Sequence, residues 1–104
     1  MPKYIFAYHG GSKPETPEAG AQEMEKWLSW RDGMGAKCVD FGAPVGISKT
    51  VSVSEIHQHG GSNPLSGYSI VQAETESEAC EMAQGCPILE DGKGTVEVAP
   101  IMEM

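Results

Sequence analysis

Two polar residues of this chain stand where proton transfer could take place. His9 follows the apolar segment 4–8 and precedes two glycines, so its imidazole would lie at the mouth of a cavity. Imidazole changes charge between about pH 5 and 8, which suits a general acid or base. Asp40 lies in a short apolar segment and is the natural partner if it points into the same cavity. His9 and Asp40 are therefore the candidate catalytic residues.

Both residues also have structural interpretations that the sequence leaves open. A histidine at the end of a strand often does no more than hydrogen-bond to a neighbouring loop. Asp40 precedes the Gly42-Ala43-Pro44 turn, and aspartate commonly caps such a turn through its carboxylate.

Three further residues are candidate ligand contacts. Tyr8, Tyr68 and Gln72 lie on strands at alternating positions, and the alternation allows them to share the sheet face that points away from the helices. Together with the apolar residues of the same parity they would form a cavity for a small aromatic or hydroxylated molecule. The same residue types also pack dimer interfaces, so both interpretations stay open.

A metal site is not predicted. His57 and His59 alternate on one side of a short segment, but the sequence defines no third ligand, and an exposed loop pair is favoured. The Gly-Gly pairs at 10–11 and 60–61 lack the residues that follow in phosphate-binding loops. No cofactor is expected.

The elements that must position these residues follow from hydrophobic periodicity and turn residues. Strands are predicted over 3–9, 36–41, 67–73 and 95–99, and the first and third are apolar on both sides, as in central strands. Thr16 and Pro17 begin a helix that runs to Met34, with Met24, Trp27, Leu28 and Arg31 in its apolar stripe. Thr75 caps a second, short helix that ends at Gly85. The long insert before residue 67 contains one short peripheral strand around Val51 and Val53.

This order, β-α-β-insert-β-α-β, predicts an α+β fold of the ferredoxin-like, split-βαβ type. Its four-stranded antiparallel sheet carries two helices on one face. Two helices cover only that face, so the other needs a lid. A second copy of the chain, packed sheet to sheet, is the economical solution and predicts a homodimer.

Composition restricts the function further. The 104 residues predict one domain, 1–104, and contain 15 Asp+Glu against 7 Lys+Arg, for a net charge of −8. Arg31 is the single arginine, and no basic cluster exists, so nucleic acid is not an expected partner. Neither a signal peptide nor a membrane span is expected. Three cysteines without metal spacing predict reduced thiols in a cytoplasmic protein, with Cys38 and Cys80 as small core residues.

Several segments together resemble the YCII-related domains, relatives of the DGPF proteins. The most telling are Gly67-Tyr-Ser-Ile-Val71 and Gly85-Cys-Pro-Ile-Leu89, and the match extends over nearly the whole chain. The resemblance implies a dimeric α+β barrel built from ferredoxin-like protomers. One branch of this family contains a dehydrochlorinase that acts on a chlorinated hydroxyquinol with a histidine on the first helix and a nearby aspartate. In this chain the helix has no histidine, whereas Asp40 lies in a segment where the family keeps polar residues.

The sequence therefore favours a YCII-related protein that binds a small aromatic or hydroxylated molecule in a dimer cavity. It would act as a cofactor-free lyase or isomerase through His9 and Asp40. The alternative is a non-catalytic binding or regulatory dimerisation module whose cavity is filled by packing.

Overall fold

The computed structural model describes residues 1–11 and 13–103. In chain order the elements are β1 (Lys3–Gly10), α1 (Pro17–Met34), a 3-10 turn (Gly35–Lys37), β2 (Cys38–Pro44), β3 (Thr50–Val51), β4 (Ile56–His57), β5 (Leu65–Gln72), α2 (Glu76–Gln84), a second 3-10 turn (Pro87–Leu89) and β6 (Gly94–Pro100).

The main sheet has four strands in the order β2-β5-β1-β6, all paired antiparallel. The two strands with apolar residues on both parities, β1 and β5, occupy the centre. This order is that of the ferredoxin-like fold, and the sequence prediction of an α+β, split-βαβ protomer is confirmed.

Both helices begin at the threonines that the sequence indicated. Thr16 Oγ1 accepts a hydrogen bond from Ala19 N at 3.1 Å, and Thr75 Oγ1 accepts one from Glu78 N at 3.1 Å. Each bond satisfies an amide that has no partner within its helix. Helix α1 covers the predicted range from Pro17 to Met34.

The assignment of sheet faces from parity was wrong in one respect. Directly opposed residues of an antiparallel pair share a face, and Phe6 opposes Ser69 whereas Ile5 opposes Ile70. The set Tyr4, Phe6 and Tyr8 is buried against the helices and does not share a face with Tyr68 and Ile70. Two alternating patterns on separate strands cannot be aligned before the register between the strands is known.

The core therefore lies between the sheet and the helices. Its buried residues are Tyr4, Phe6, Tyr8, Val71, Ala73, Ala79, Ala83 and Cys86, and the partly buried residues packed on them include Trp27, Trp30 and Met34. The opposite side of the sheet, here termed the open face, carries Ile5, Ala7, Tyr68 and Ile70 in half-buried positions.

Strand β2 is longer than predicted because a bulge carries it past the glycine that was expected to end it. Gly42 has a φ of +74°, and the pairing with β5 gains one extra residue between Asp40 and Ala43. A Cβ at Gly42 would overlap the carbonyl oxygen of Tyr68, so this position requires glycine.

The insert differs from the single peripheral strand that was predicted. β3 and β4 pair antiparallel as a small hairpin, with Val51 opposite Ile56. Both strands are exposed, as are Ile47 and Val53.

The cysteine prediction also needs correction. Cys86 is buried in the core and Cys38 is half-buried, whereas Cys80 is exposed on α2.

None of the helices among the described residues is long and apolar enough to cross a membrane.

Candidate ligand-binding site

His9 is held at the end of β1 by three polar groups. Its Nδ1 lies 3.0 Å from the carbonyl oxygen of Asn63 and 3.3 Å from that of Pro64. Carbonyl oxygens only accept, so Nδ1 donates. The other ring nitrogen, Nε2, lies 3.0 Å from Glu97 Oε1. Thus His9 joins the end of the insert to β6 through both nitrogens.

Asp40 is placed away from His9. Asp40 pairs with Ile70 of β5, whereas His9 pairs with Leu65. These two positions of β5 are about 16 Å apart, at roughly 3.3 Å per residue. Asp40 Oδ1 accepts a hydrogen bond from Gly42 N at 2.8 Å, which is the turn-capping arrangement. The structure does not bring the two residues together as an acid–base pair.

A cavity of about 270 Å³ lies between α1 and the β2–β5 side of the sheet. We call it the aromatic cavity. Its lining is Tyr8, Pro14, Gly20, Glu23, Met24, Trp27, Phe41, Gly42, Ala43, Pro44, Ser66, Gly67, Tyr68 and Ile88. Two of the three predicted ligand contacts, Tyr8 and Tyr68, are among these residues, Tyr8 from the helix side of the sheet and Tyr68 from a strand position that belongs to the open face. Gln72 is not, and its amide donates instead to the carbonyl oxygen of Ala36 at 3.1 Å.

Aromatic rings form part of the wall of this cavity. Trp27 stands edge-on to Tyr8, with ring centroids 5.1 Å apart, and edge-on to Phe41 at 6.4 Å. The guanidinium of Arg31 lies 5.4 Å from the centre of the Phe41 ring, a cation–π distance. Rings held in these edge-to-face contacts present flat apolar surfaces at fixed angles.

A hydrogen-bonded chain fixes that wall to the sheet. The Tyr8 hydroxyl donates to Ser69 Oγ at 2.7 Å, and Ser69 Oγ donates to the carbonyl oxygen of Phe41 at 2.6 Å. Burial raises the pKa of the Tyr8 phenol far above its usual value, so the hydroxyl keeps its proton and remains a donor. Tyr8 is therefore committed to structure and is not free to exchange protons with a ligand.

Two polar side chains in the lining have unused hydrogen-bonding capacity. Ser66 Oγ is buried and has no hydrogen-bond partner among the described residues. Glu23 is half-buried, and its Oε1 accepts a hydrogen bond from Trp27 Nε1 at 3.1 Å. Glu23 is the one carboxylate among the described residues that line the aromatic cavity. A buried hydroxyl without a partner is uncommon, and a ligand hydroxyl would satisfy it.

Sequence reasoning missed Glu23 and Ser66. The signal for Glu23 was present, since it precedes Trp27 by four residues, the spacing that puts side chains side by side on a helix. No signal marked Ser66. It reaches the cavity because a register shift on β5, opposite Tyr8 and His9, adds one residue to that strand.

The histidine pair of the insert lies outside this site. His57 Nε2 is 3.1 Å from Glu55 Oε2, and His59 Nδ1 accepts a hydrogen bond from Gly61 N at 3.0 Å. Within residues 1–11 and 13–103 no group of three or more His, Cys, Asp or Glu side chains is arranged to hold a metal ion.

Comparison with known proteins identifies the fold. No family model matches the chain. A search of curated proteins gave no match. Among solved structures the chain is similar to 5-chloro-2-hydroxyhydroquinone dehydrochlorinase from Burkholderia phenoliruptrix, in a complex with 2,5-dihydroxybenzoquinone. The TM-score is 0.56, with 96% of this chain and 95% of that chain covered at 15% sequence identity. This likeness supports the ferredoxin-like α+β fold.

Proposed function

We propose that this chain is a YCII-related protein that binds a small hydroxylated aromatic molecule in the aromatic cavity. The observation that carries the proposal is the mostly apolar cavity walled by Trp27 and Phe41, whose lining includes Ser66, a residue with a buried hydroxyl that has no hydrogen-bond partner among the described residues. Rings on the wall would stack against or meet the ligand edge-on, and Ser66 would hydrogen-bond to one of its hydroxyls.

The size of the cavity limits the ligand. Cavities that hold drug-sized molecules measure about 300–1,000 Å³, and the aromatic cavity lies just below that range at about 270 Å³. A single substituted ring is the matching size. The solved structure of similar fold holds a molecule of this kind, 2,5-dihydroxybenzoquinone, and this supports the proposal.

Titration calorimetry with hydroquinone tests the binding function. Ser66→Ala removes the proposed hydrogen bond and should weaken binding by about fivefold to tenfold, the value of one neutral hydrogen bond. Because the Ser66 hydroxyl has no hydrogen-bond partner among the described residues, the same change should leave the free protein equally stable or slightly more stable. A purely structural serine would instead lower the stability when removed.

Ser48 provides the matched control. Its hydroxyl is also buried and without a partner among the described residues, but it does not line the aromatic cavity. Ser48→Ala should therefore leave hydroquinone affinity unchanged. Equal losses in both variants, or no hydroquinone binding to the wild-type protein, would contradict the proposal.

We further propose that the protein is a homodimer whose open faces pack together. The open face presents Ile5, Ala7, Tyr68 and Ile70, and the helices lie on the other side of the sheet. An apolar sheet face of this kind commonly marks a contact with another chain. Light scattering should give twice the 11.1 kDa protomer mass. Ile70→Asp should reduce the measured mass to that of one protomer, whereas Val53→Asp in the exposed insert should leave the dimer mass unchanged.

A cofactor-free lyase or isomerase is the second candidate, favoured by the presence of Glu23 in the cavity lining. A carboxylate beside a bound phenol can accept its proton. His9 and Asp40, the pair that the sequence suggested, lie outside that lining. We propose Glu23 as the group that takes up the proton, with Trp27 Nε1 orienting its carboxylate.

Chloride release from 5-chloro-2-hydroxyhydroquinone provides the assay for this activity. Glu23→Gln should abolish release and leave hydroquinone binding within about twofold, since the amide keeps the size of the side chain. Loss of release in His9→Ala or Asp40→Asn, with Glu23→Gln still active, would assign the chemistry to the sequence-predicted pair. Binding without any release in the wild-type protein would support the non-catalytic binding module.

A further inference from the structure

The open face of the sheet carries a histidine–carboxylate pair beside its apolar centre. On β1 this face holds Ile5, Ala7 and His9, and the pairing with β6 places Glu97 directly opposite Ala7. His9 Nε2 lies 3.0 Å from Glu97 Oε1, along the diagonal between the two strands. Directly opposed residues have Cβ atoms only about 4.5–5.5 Å apart. A second copy that covers Ala7 therefore also covers Glu97.

The contacts of His9 require a proton on each ring nitrogen. Nδ1 faces the carbonyl oxygens of Asn63 and Pro64, which only accept hydrogen bonds. Nε2 faces the carboxylate of Glu97, which also only accepts when it is ionised. A neutral imidazole has one N–H and can serve one of these sides, whereas the imidazolium serves both. The arrangement is therefore complete only when His9 is charged.

The two members of the pair differ in their exposure to water. The side chain of His9 is 12% exposed, whereas that of Glu97 is 70% exposed. In a separate protomer, water can therefore solvate the Glu97 carboxylate whatever the charge on His9. A second copy lying on the open face would remove that water. An ionised carboxylate that is withdrawn from water without a paired cation costs free energy, so the dimer depends on the His9 proton more than the protomer does.

We infer that protonation of His9 controls dimerisation through the open face. The inference rests on the proposed function, because it assumes that the open faces pack together, and it adds the regulation of that contact. Each protomer holds its second imidazole proton more firmly in the dimer than alone. Imidazole loses that proton between about pH 5 and 8, so a rise in pH through this range should dissociate the dimer.

The other charged groups on or next to the open face keep one charge over this range. Lys3 lies at the opposite end of β1, about 20 Å from His9 at roughly 3.3 Å per residue. Asp40 lies on β2, and Lys93 immediately precedes β6. Ammonium groups and carboxylates do not change charge between about pH 5.5 and 8.5, and a phenol such as that of Tyr68 stays neutral. A second copy brings the same set of groups to the contact.

The insert contains a second histidine–carboxylate pair, outside the main sheet. His57 Nε2 lies 3.1 Å from Glu55 Oε2, and the hairpin that contains His57 forms a separate two-stranded sheet. His57, His59 and the α-amino group of Met1 titrate in the same pH range as His9. Because Glu55 and Glu97 carry the same charge, substitutions at the two positions change the net charge equally and form a matched pair.

Sedimentation equilibrium of the full chain tests the inference at constant ionic strength. The dimer dissociation constant should rise at least about tenfold between pH 5.5 and pH 8.5. Glu97→Gln replaces the carboxylate by an amide that can donate to neutral His9, so its dissociation constant should change by less than about threefold. Glu55→Gln should keep the pH dependence of the wild-type protein. Circular dichroism at each pH confirms that the proteins are folded.

The outcomes separate the inference from the dimer beneath it. If the wild-type protein is a monomer at every pH, the proposed dimer fails and the inference falls with it. If the protein is a dimer that Ile70→Asp dissociates, but its dissociation constant is the same at both pH values or lower at pH 8.5, the open-face dimer stands and the inference is wrong. Equal flattening of the pH profile by Glu55→Gln and Glu97→Gln would also overturn the inference, because the effect would then follow net charge.

Discussion

The hydrogen-bonded chain from Tyr8 through Ser69 to Phe41 makes a sharp prediction about stability. Tyr8→Phe removes one hydroxyl but leaves Ser69 Oγ donating to the Phe41 carbonyl, so it should cost about 1 kcal/mol, the net value of one hydrogen bond. Ser69→Ala leaves the buried Tyr8 hydroxyl without its acceptor and removes the donor to the part-buried Phe41 carbonyl. At about 1–3 kcal/mol for each group, Ser69→Ala should cost roughly 2–6 kcal/mol.

The double variant gives the decisive comparison. Once Ser69 is alanine, the Tyr8 hydroxyl is a buried donor without an acceptor, so its removal should now stabilise the protein by about 1 kcal/mol. Tyr8→Phe therefore changes sign between the two backgrounds. Urea unfolding followed by tryptophan fluorescence measures all four corners of the cycle. If Tyr8→Phe cost the same in both backgrounds, or Ser69→Ala cost less than Tyr8→Phe, the chain would not be the support inferred here.

The remaining predictions concern other parts of the fold. Burial raises the pKa of the Cys86 thiol from 9.0 to about 12, so the unfolded state loses this proton first. The contribution of the protonated Cys86 thiol to stability should therefore be complete below about pH 9 and be lost at roughly 1 kcal/mol per pH unit above it. Burial also raises the pKa of the Tyr8 phenol, which adds a second loss of stability above about pH 10. Cys86→Ala should therefore flatten the urea-midpoint profile between about pH 9 and 10, and Cys80→Ala should leave it unchanged. Thr16→Ala should lower the free energy of unfolding by about 1 kcal/mol, measured by thermal unfolding, whereas Thr16→Ser should keep most of that free energy. If Thr16→Ala were as stable as the wild-type protein, the cap would contribute nothing. Gly42→Ala should lower the free energy of unfolding by at least about 2 kcal/mol, measured by chemical denaturation. Gly46→Ala, where an added Cβ would meet nothing within 4 Å, should change it by no more than about 0.5 kcal/mol. Equal effects of the two variants would contradict the requirement for glycine in the β2 bulge.

The sequence predicts the elements and their order because the signals are local. The threonine caps, the proline at the start of α1 and the alternation in β1 each depend on a few neighbouring residues. The strand order then follows from topology, since a β-α-β-β-α-β chain has few ways to form a compact antiparallel sheet.

The site is harder to predict because it depends on pairing between distant residues. The face that Tyr8 occupies is set by its register against Gly67, and the position of Ser66 by a bulge beside it. Neither can be derived from one strand alone. His9 illustrates the same limit: its position at a strand end was evident, but its contacts with Asn63 and Glu97 depend on residues far along the chain.

A titration of the amide spectrum by NMR with hydroquinone tests the central claim most directly, because it locates the ligand without any variant. We expect the largest shifts at amides around the aromatic cavity, namely Glu23, Trp27, Gly42 and Ser66. Shifts confined to Ile5, Ala7 and Ile70 on the open face, or a spectrum that hydroquinone leaves unchanged, would contradict it.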